Sequence, residues 1–296
     1  MRLTGLHILL TYQCTYECDH CFVWGSPRQE GTLSLEQVEE ILKQAREAGV
    51  ESIYFEGGEP FLFYAILAKG VRLAAEMGFS VGIVSNAYWA NTVADALENL
   101  QPFAGRIADL TVSSDQYHCG DCLGERPQNA LVAAKWLNIP TGMISVAQPE
   151  GEAAQTRGKI EEESAAVMYR GRASQLVTRA ALHPWENFTE CSHEDLREPG
   201  RVHLDPFGNL HICQGVVIGN VFEKSLRQIC DEYDADAHPI CRPLLAGGPA
   251  ALVTEYNLPH ASDYADACHL CYEARTTLRA RFPDLLAPDQ MYGVME

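Results

Sequence analysis

The run LHILLTY from Leu6 to Tyr12 is apolar and too short for a helix, so it predicts a buried strand near the start of the chain. After a cysteine-bearing loop, SLEQVEEILKQAREAG puts Leu35, Val38, Ile41, Leu42 and Ala45 on one face at helical spacing. Ser34 and Gln37 have capping-box spacing and Gly49 sits at the expected stop. ESIYFEGGEP then predicts a strand ending in glycines, followed by an apolar helix from Phe61 to Met77. The unit repeats as strand FSVGIVSNA, helix ANTVADALENL, strand RIADLTVSSD, helix ERPQNALVAAKWLN and strand IPTGMISVAQ. Such alternation with short connections predicts an α/β fold of parallel strands joined by right-handed crossovers. A polar, Glu-rich stretch from Glu150 to Ser164 reads as a solvated helix or loop, and AAVMYRGRA as a sixth strand with its exit turn. Six units make a partial (β/α)6 barrel, with chemistry expected at the carboxyl ends of the strands.

After Arg172 the rhythm changes. RVHLDPFGNLHIC predicts two short strands joined by a turn at Pro206 and Gly208, then comes a helix from Lys224 to Tyr233 and a Pro/Gly-rich connector. The expected division is a barrel over 1–180 and a small C-terminal α+β domain, a β-hairpin plus helices, over 181–296.

Composition narrows the function. The 296 residues are 47% apolar, enough for a sizeable core, and carry 22 basic against 40 acidic residues, a net charge of −18. That balance speaks against nucleic acid and anionic membranes as partners. No apolar run reaches membrane-spanning length and no signal peptide is evident, so a cytoplasmic location is expected. Eleven cysteines in a reducing compartment then point to metal or cluster ligation rather than disulfides.

Three of them, Cys14, Cys18 and Cys21, fall in CTYECDHCF just after the first strand. Thiolates are the soft ligands of iron–sulfur clusters, and three leave one coordination position open. A zinc site completed by His20 competes, although adjacent residues on a tight loop rarely both reach one tetrahedral ion. The C-x-x-x-C-x-x-C spacing, followed one unit later by GGEP, Gly57 to Pro60, resembles the radical S-adenosylmethionine (SAM) superfamily over residues 1 to 180. The resemblance implies a [4Fe-4S] cluster on Cys14, Cys18 and Cys21 whose fourth iron binds SAM. It also implies SAM contacts from His20, which stands where the family usually has an aromatic residue, and from Gly57, Gly58, Glu59 and Pro60. Ser85, Asn86, Ser113, Ser114 and Asp115 are strand-end candidates for the ribose and carboxylate, and Arg172 in RGRA, Arg170 to Ala173, is a candidate for the carboxylate. Each of these also has an ordinary turn, capping or surface ion-pair role open to it.

Cys191 before the predicted hairpin, Cys213 after it and the late pair Cys268 and Cys271 resemble the auxiliary-cluster module called twitch, a shortened SPASM domain. There the four hold a second [4Fe-4S] cluster with no open site; structural zinc is the competing reading. Cys119 and Cys122 in YHCGDC, with His118 and Asp115, are candidate catalytic groups. With Cys230 and Cys241 they leave a third cluster, a dithiol and plain packing all open. Tyr264, Tyr272 and the PDQMYG tail could line a substrate site or simply pack.

The resemblance implies reductive cleavage of SAM to a 5′-deoxyadenosyl radical and hydrogen-atom abstraction from a substrate. The auxiliary cluster would accept an electron in a net oxidation such as dehydrogenation. A small-molecule substrate is expected over a peptide, because the first strand begins almost at residue 1, although peptide crosslinking or thioether formation stays open. A protein reductant such as flavodoxin or ferredoxin is implied. The rival class is a non-catalytic iron–sulfur or zinc protein that transfers electrons or binds a partner.

Overall fold

The computed structural model describes residues 1–114, 125–146, 167–179 and 181–294. Parallel strands β1 (Leu3–Thr11), β2 (Ser52–Gly57), β3 (Ser80–Ser85), β4 (Asp109–Ser113) and β5 (Thr141–Ile144) alternate with helices α1 (Leu35–Ala48), α2 (Tyr64–Glu76), α3 (Val93–Leu100) and α4 (Glu125–Trp136). Local signals set the boundaries. Ser34 and Gln37 form the expected capping box on α1, and Gly49 ends it in the left-handed conformation at φ 83°. Thr92 and Asp95 cap α3 in the same reciprocal way. Pro60 opens a short 3-10 turn, Pro60–Phe63, so α2 starts three residues later than the expected Phe61.

The strands bury one face under these helices. Leu6, Ile8 and Leu10 of β1, Ile53 and Phe55 of β2, and Val81 and Ile83 of β3 pack against Val38, Ile41, Leu67 and Val71. The opposite face carries the alternate residues, among them His7, Tyr54 and Glu56. All candidate loops leave the carboxyl ends of the strands: Cys14 follows β1, Gly57 closes β2, Ser85 closes β3 and Ser113 closes β4.

The second half corrects three expectations. Gly171–Arg179 is a 3-10 helix and residues 167–170 have no strand assignment, so the tract expected as a sixth strand is not one among the described residues. After a two-residue strand β6 (His183–Pro184), β7 (Gly200–Leu204) joins the opposite edge instead and pairs in parallel with β1. The hairpin has a third strand: β8 (Asn209–Cys213) and β9 (Val216–Asn220) run antiparallel beyond β7, giving one sheet of order β5-β4-β3-β2-β1-β7-β8-β9. The sheet is therefore continuous across residue 180. Helix α5 (Leu226–Glu232) follows, and the expected Pro/Gly connector contains α6 (Cys241–Tyr256), broken by non-helical Gly247 and Gly248 before Pro249. The breakers kink the segment but its Leu244, Leu252 and Val253 are buried, so packing outweighs propensity. Strand β10 (Asp263–Tyr264) pairs with β6, and α7 (Ala267–Leu278) closes a second core with Leu9, Ile212 and Leu270. Among the described residues no helix is long and apolar enough to cross a membrane.

Phe55 is fully buried in the first core beneath Gly70 of α2. Phe55→Ala should lower the unfolding free energy by about 3–5 kcal/mol in urea denaturation, and a loss below about 1 kcal/mol would contradict that packing.

Candidate cluster and cofactor site

The loop after β1 is held by backbone contacts together with a few side chains. The amide of Cys14 donates to Ser26 O at 3.0 Å and that of Cys21 to Cys18 O at 3.0 Å. Across from it, the amides of Gly58 and Glu59 donate to Thr11 O at 2.7 Å and Gln13 O at 2.9 Å. A Cβ on Gly58 would sit 2.1 Å from Gln13 O, so only glycine permits this approach of the β2 exit to the β1 exit.

These exits surround a cavity of about 300 Å³. Cys14, Cys18, Cys21 and His20 line one side, Gly57 and Gly58 the next, and Ser85, Asn86 and Ser113 the strand ends beyond. Amide protons already point at two of the sulfurs: Tyr16 N–H and Asn86 Nδ2 lie 3.5 Å from Cys14 Sγ, and Gly25 N–H lies 3.2 Å from Cys21 Sγ. Hydrogen bonds of this kind stabilise ligated thiolates. Without a metal, burial pushes the Cys14 thiol up to about 12 and raises Cys21 against the pull of Arg172, so bound positive charge is needed to deprotonate them.

Several candidate residues have other places. Glu59 is fully buried and does not line the cavity. Its carboxylate accepts from Phe61 N at 3.0 Å, Asn86 N at 2.8 Å and Ser85 Oγ at 2.9 Å, tying the β2 and β3 exits together. Pro60 is buried at the 3-10 turn beneath it. Ser114 lies past the rim, its amide on Ile144 O at 2.9 Å. Arg172 does not line the cavity either: its guanidinium donates to Cys18 O at 2.8 Å and Gly25 O at 3.0 Å, and its amide to Cys21 O at 2.9 Å. It clamps the cysteine loop. Gly171 beside it, at φ 59°, leaves no room for a side chain, because a Cβ would meet Cys21 O at 2.6 Å. Asp115, His118, Cys119 and Cys122 lie outside the described residues.

The second cysteine set also converges. Cys191, Cys213, Cys268 and Cys271 line one small enclosed cavity, the last two from the N-terminal end of α7. Burial pushes Cys191 up to about 12 and raises Cys268 and Cys271. Arg275, 1% exposed, donates to Cys271 O and Gln214 O and has no carboxylate partner among the described residues. A buried cation of this kind calls for a negative group beside it, which a thiolate-ligated cluster supplies.

Cys230 packs in the barrel core and Cys241 in the C-terminal core, so these two are separate. Tyr264 and Tyr272 are buried in the C-terminal core, and Tyr272 Oη accepts from Trp24 Nε1 at 2.8 Å. The residue that sequence reasoning passed over is Arg170, which lines both cavities. Its Nη1 lies 3.5 Å from Cys213 Sγ and 3.7 Å from Glu194 Oε1, and the guanidinium stands 5.7 Å from the Phe22 ring centroid. Its position in RGRA was the available signal.

Residues 8–113 match the Radical SAM superfamily model. YydG of Bacillus subtilis (strain 168), a protein named for peptide biosynthesis, is 27% identical over 113 residues, 38% of this chain and 35% of its own. The S-adenosylmethionine-dependent nucleotide dehydratase RSAD2 of Siniperca chuatsi is 36% identical over 91 residues, 29% of this chain and 25% of its own. The chain thus spans only about a third or less of these relatives' lengths. Among solved structures, Streptococcus suis SuiB bound to S-adenosylmethionine superposes with a TM-score of 0.53 at 15% identity, covering 81% of this chain and 68% of that one, a likeness of fold.

Burial moves the Glu59 carboxyl up to about 7 from 4.5 despite its hydrogen bonds. The folded, cluster-free chain therefore holds a proton there that the unfolded chain releases above pH 4.5. Its contribution to stability is fully present below pH 4.5 and is lost by about 3 kcal/mol as pH rises to 7. Urea denaturation across this range should show wild type losing stability relative to Glu59→Gln, and a pH-independent difference would contradict the assignment.

Proposed function

We propose that this chain, which carries a radical SAM domain over residues 8–113, is a radical SAM enzyme that abstracts a hydrogen atom from its substrate. The observation that carries the reading is the opening of a three-cysteine wall onto a cavity lined by the β2, β3 and β4 exits. Cys14, Cys18 and Cys21 would hold a [4Fe-4S] cluster, and His20, Gly57, Gly58, Ser85, Asn86 and Ser113 would face SAM. Bound there, cluster and SAM supply methionine and a 5′-deoxyadenosyl radical once an electron arrives from a protein such as flavodoxin or ferredoxin. The side-chain-free Gly57 and Gly58 let backbone groups approach the cofactor. Glu59 acts one layer back, fixing the β3 exit through Ser85 and Asn86. Arg172 keeps the cysteine loop closed around its ligand.

Cys191, Cys213, Cys268 and Cys271 would hold a second [4Fe-4S] cluster, with Arg170 and Arg275 supplying positive charge beside it. A cluster held there would accept an electron from the substrate in a net oxidation such as dehydrogenation. For the substrate, the relatives give the expected small molecule no general support: one is named for peptide biosynthesis, the other for nucleotide dehydration. A peptide fits the longer of the two alignments and is our first choice; a nucleotide-like small molecule is the second.

Anaerobic reconstitution should load about eight irons per chain, two [4Fe-4S] units. Incubation with SAM and dithionite should then give 5′-deoxyadenosine that Cys14→Ala does not make. Equal yields from both proteins would overturn the reading, as would bound zinc with no iron. Deuterium carried from labelled peptides, and not from labelled nucleotides, into 5′-deoxyadenosine would support the peptide; the reverse pattern would establish the second choice.

A further inference from the structure

Below the cofactor cavity the inner face of the sheet holds a group that none of this chemistry uses. His7 of β1 and His203 of β7 are cross-strand partners, and Glu56 of β2 stands on the same face. Glu56 Oε1 lies 3.4 Å from His7 Nδ1 and 3.1 Å from His203 Nε2, and the three atoms fall within 4.8 Å of one another. Despite these separations, His7 Nδ1 and Glu56 Oε1 make no hydrogen bond and are buried from solvent. A buried polar network usually satisfies its members. Three atoms that converge without hydrogen-bond geometry have the arrangement of ligands around an ion.

The two Glu56 distances, 3.4 and 3.1 Å, fit that arrangement. Metal–ligand bonds of about 2.0–2.2 Å set neighbouring ligand atoms about 2.8 to 3.6 Å apart, for angles from 90° to tetrahedral. We propose that His7, Glu56 and His203 form a site for a divalent transition-metal ion in the barrel floor, distinct from both cysteine sets. Two imidazoles and one carboxylate suit zinc or ferrous iron rather than magnesium or calcium.

The surroundings support such a site. Each ligand comes from a different strand of one sheet, so the three are held rigidly. The Tyr54 ring stacks on His7 with centroids 4.8 Å apart and planes within 16°, and His203 meets the Phe22 ring edge-on at 6.2 Å. Glu56 also lines the cofactor cavity, so an ion held by these residues would adjoin it and would offer a position for water or an oxygen donor of the substrate.

The site does not depend on the cysteine chemistry and is tested separately from it. Cluster-loaded protein is incubated with zinc sulfate, desalted, and assayed for zinc and iron. Wild type should retain about one zinc per chain, and His203→Gln and Glu56→Gln less than about a tenth of that, at unchanged iron. The zinc K-edge spectrum of wild type should fit nitrogen and oxygen ligands. No zinc in wild type above the two variants would overturn the proposal, and so would sulfur ligation, which needs no variant to detect.

Discussion

The contact on which the site depends is the approach of two strand exits to within a backbone hydrogen bond. Gly58 and Glu59 lie against Thr11 and Gln13 so closely that no side chain fits between them. This fixes the cysteine loop relative to β2, and the buried Glu59 carboxylate extends the fixation to β3 by accepting from Ser85 and Asn86. Asn86 closes the circuit, with its Nδ2 on Cys14 Sγ and Thr15 Oγ1. Three loops that are remote in sequence thus become one wall. A buried, fully accepted carboxylate is costly to desolvate, and its place here is structural: it orders the exits so that backbone, rather than charge, faces the cavity.

The tract Arg170 to Arg172 joins that wall to the second half. Arg172 and Gly171 press on the cysteine loop from behind, while Arg170 turns the other way, between Phe22 and the Cys213 sulfur. Because β7 pairs directly with β1 and β8 with β7, Cys213 of the second cysteine set stands on the same sheet whose first strand leads into the first set. Both cysteine-lined cavities share Arg170, so charge held in either would act on the same guanidinium.

Much of this was legible in the chain. Short apolar runs and period-3.6 patterns gave α1 to α4 and β1 to β5, and the capping box and C-terminal glycine of α1 gave its ends. Both groupings of cysteines were legible from residue type and spacing, and each lines one cavity. What escaped depended on tertiary pairing. β7 reads as one arm of a hairpin, and nothing local reveals that its free edge meets β1. β9 is masked by its Gly219 and short length, and α6 by Gly247, Gly248 and Pro249, although each is buried on packing. Arg172 and Glu59 have the right chemistry for binding a cofactor, yet burial and nearby backbone groups claim both. His7, Glu56 and His203 are spread over nearly two hundred residues and only strand register unites them.

The central claim is that one cysteine set is open and receives SAM while the other is closed. Electron paramagnetic resonance of the reduced, cluster-loaded protein tests it directly. Adding SAM should shift one component of the spectrum and leave the other in place; the shifting component should vanish in Cys14→Ala and persist in Cys268→Ala. A spectrum unchanged by SAM, or a shift that survives in Cys14→Ala, would contradict the account.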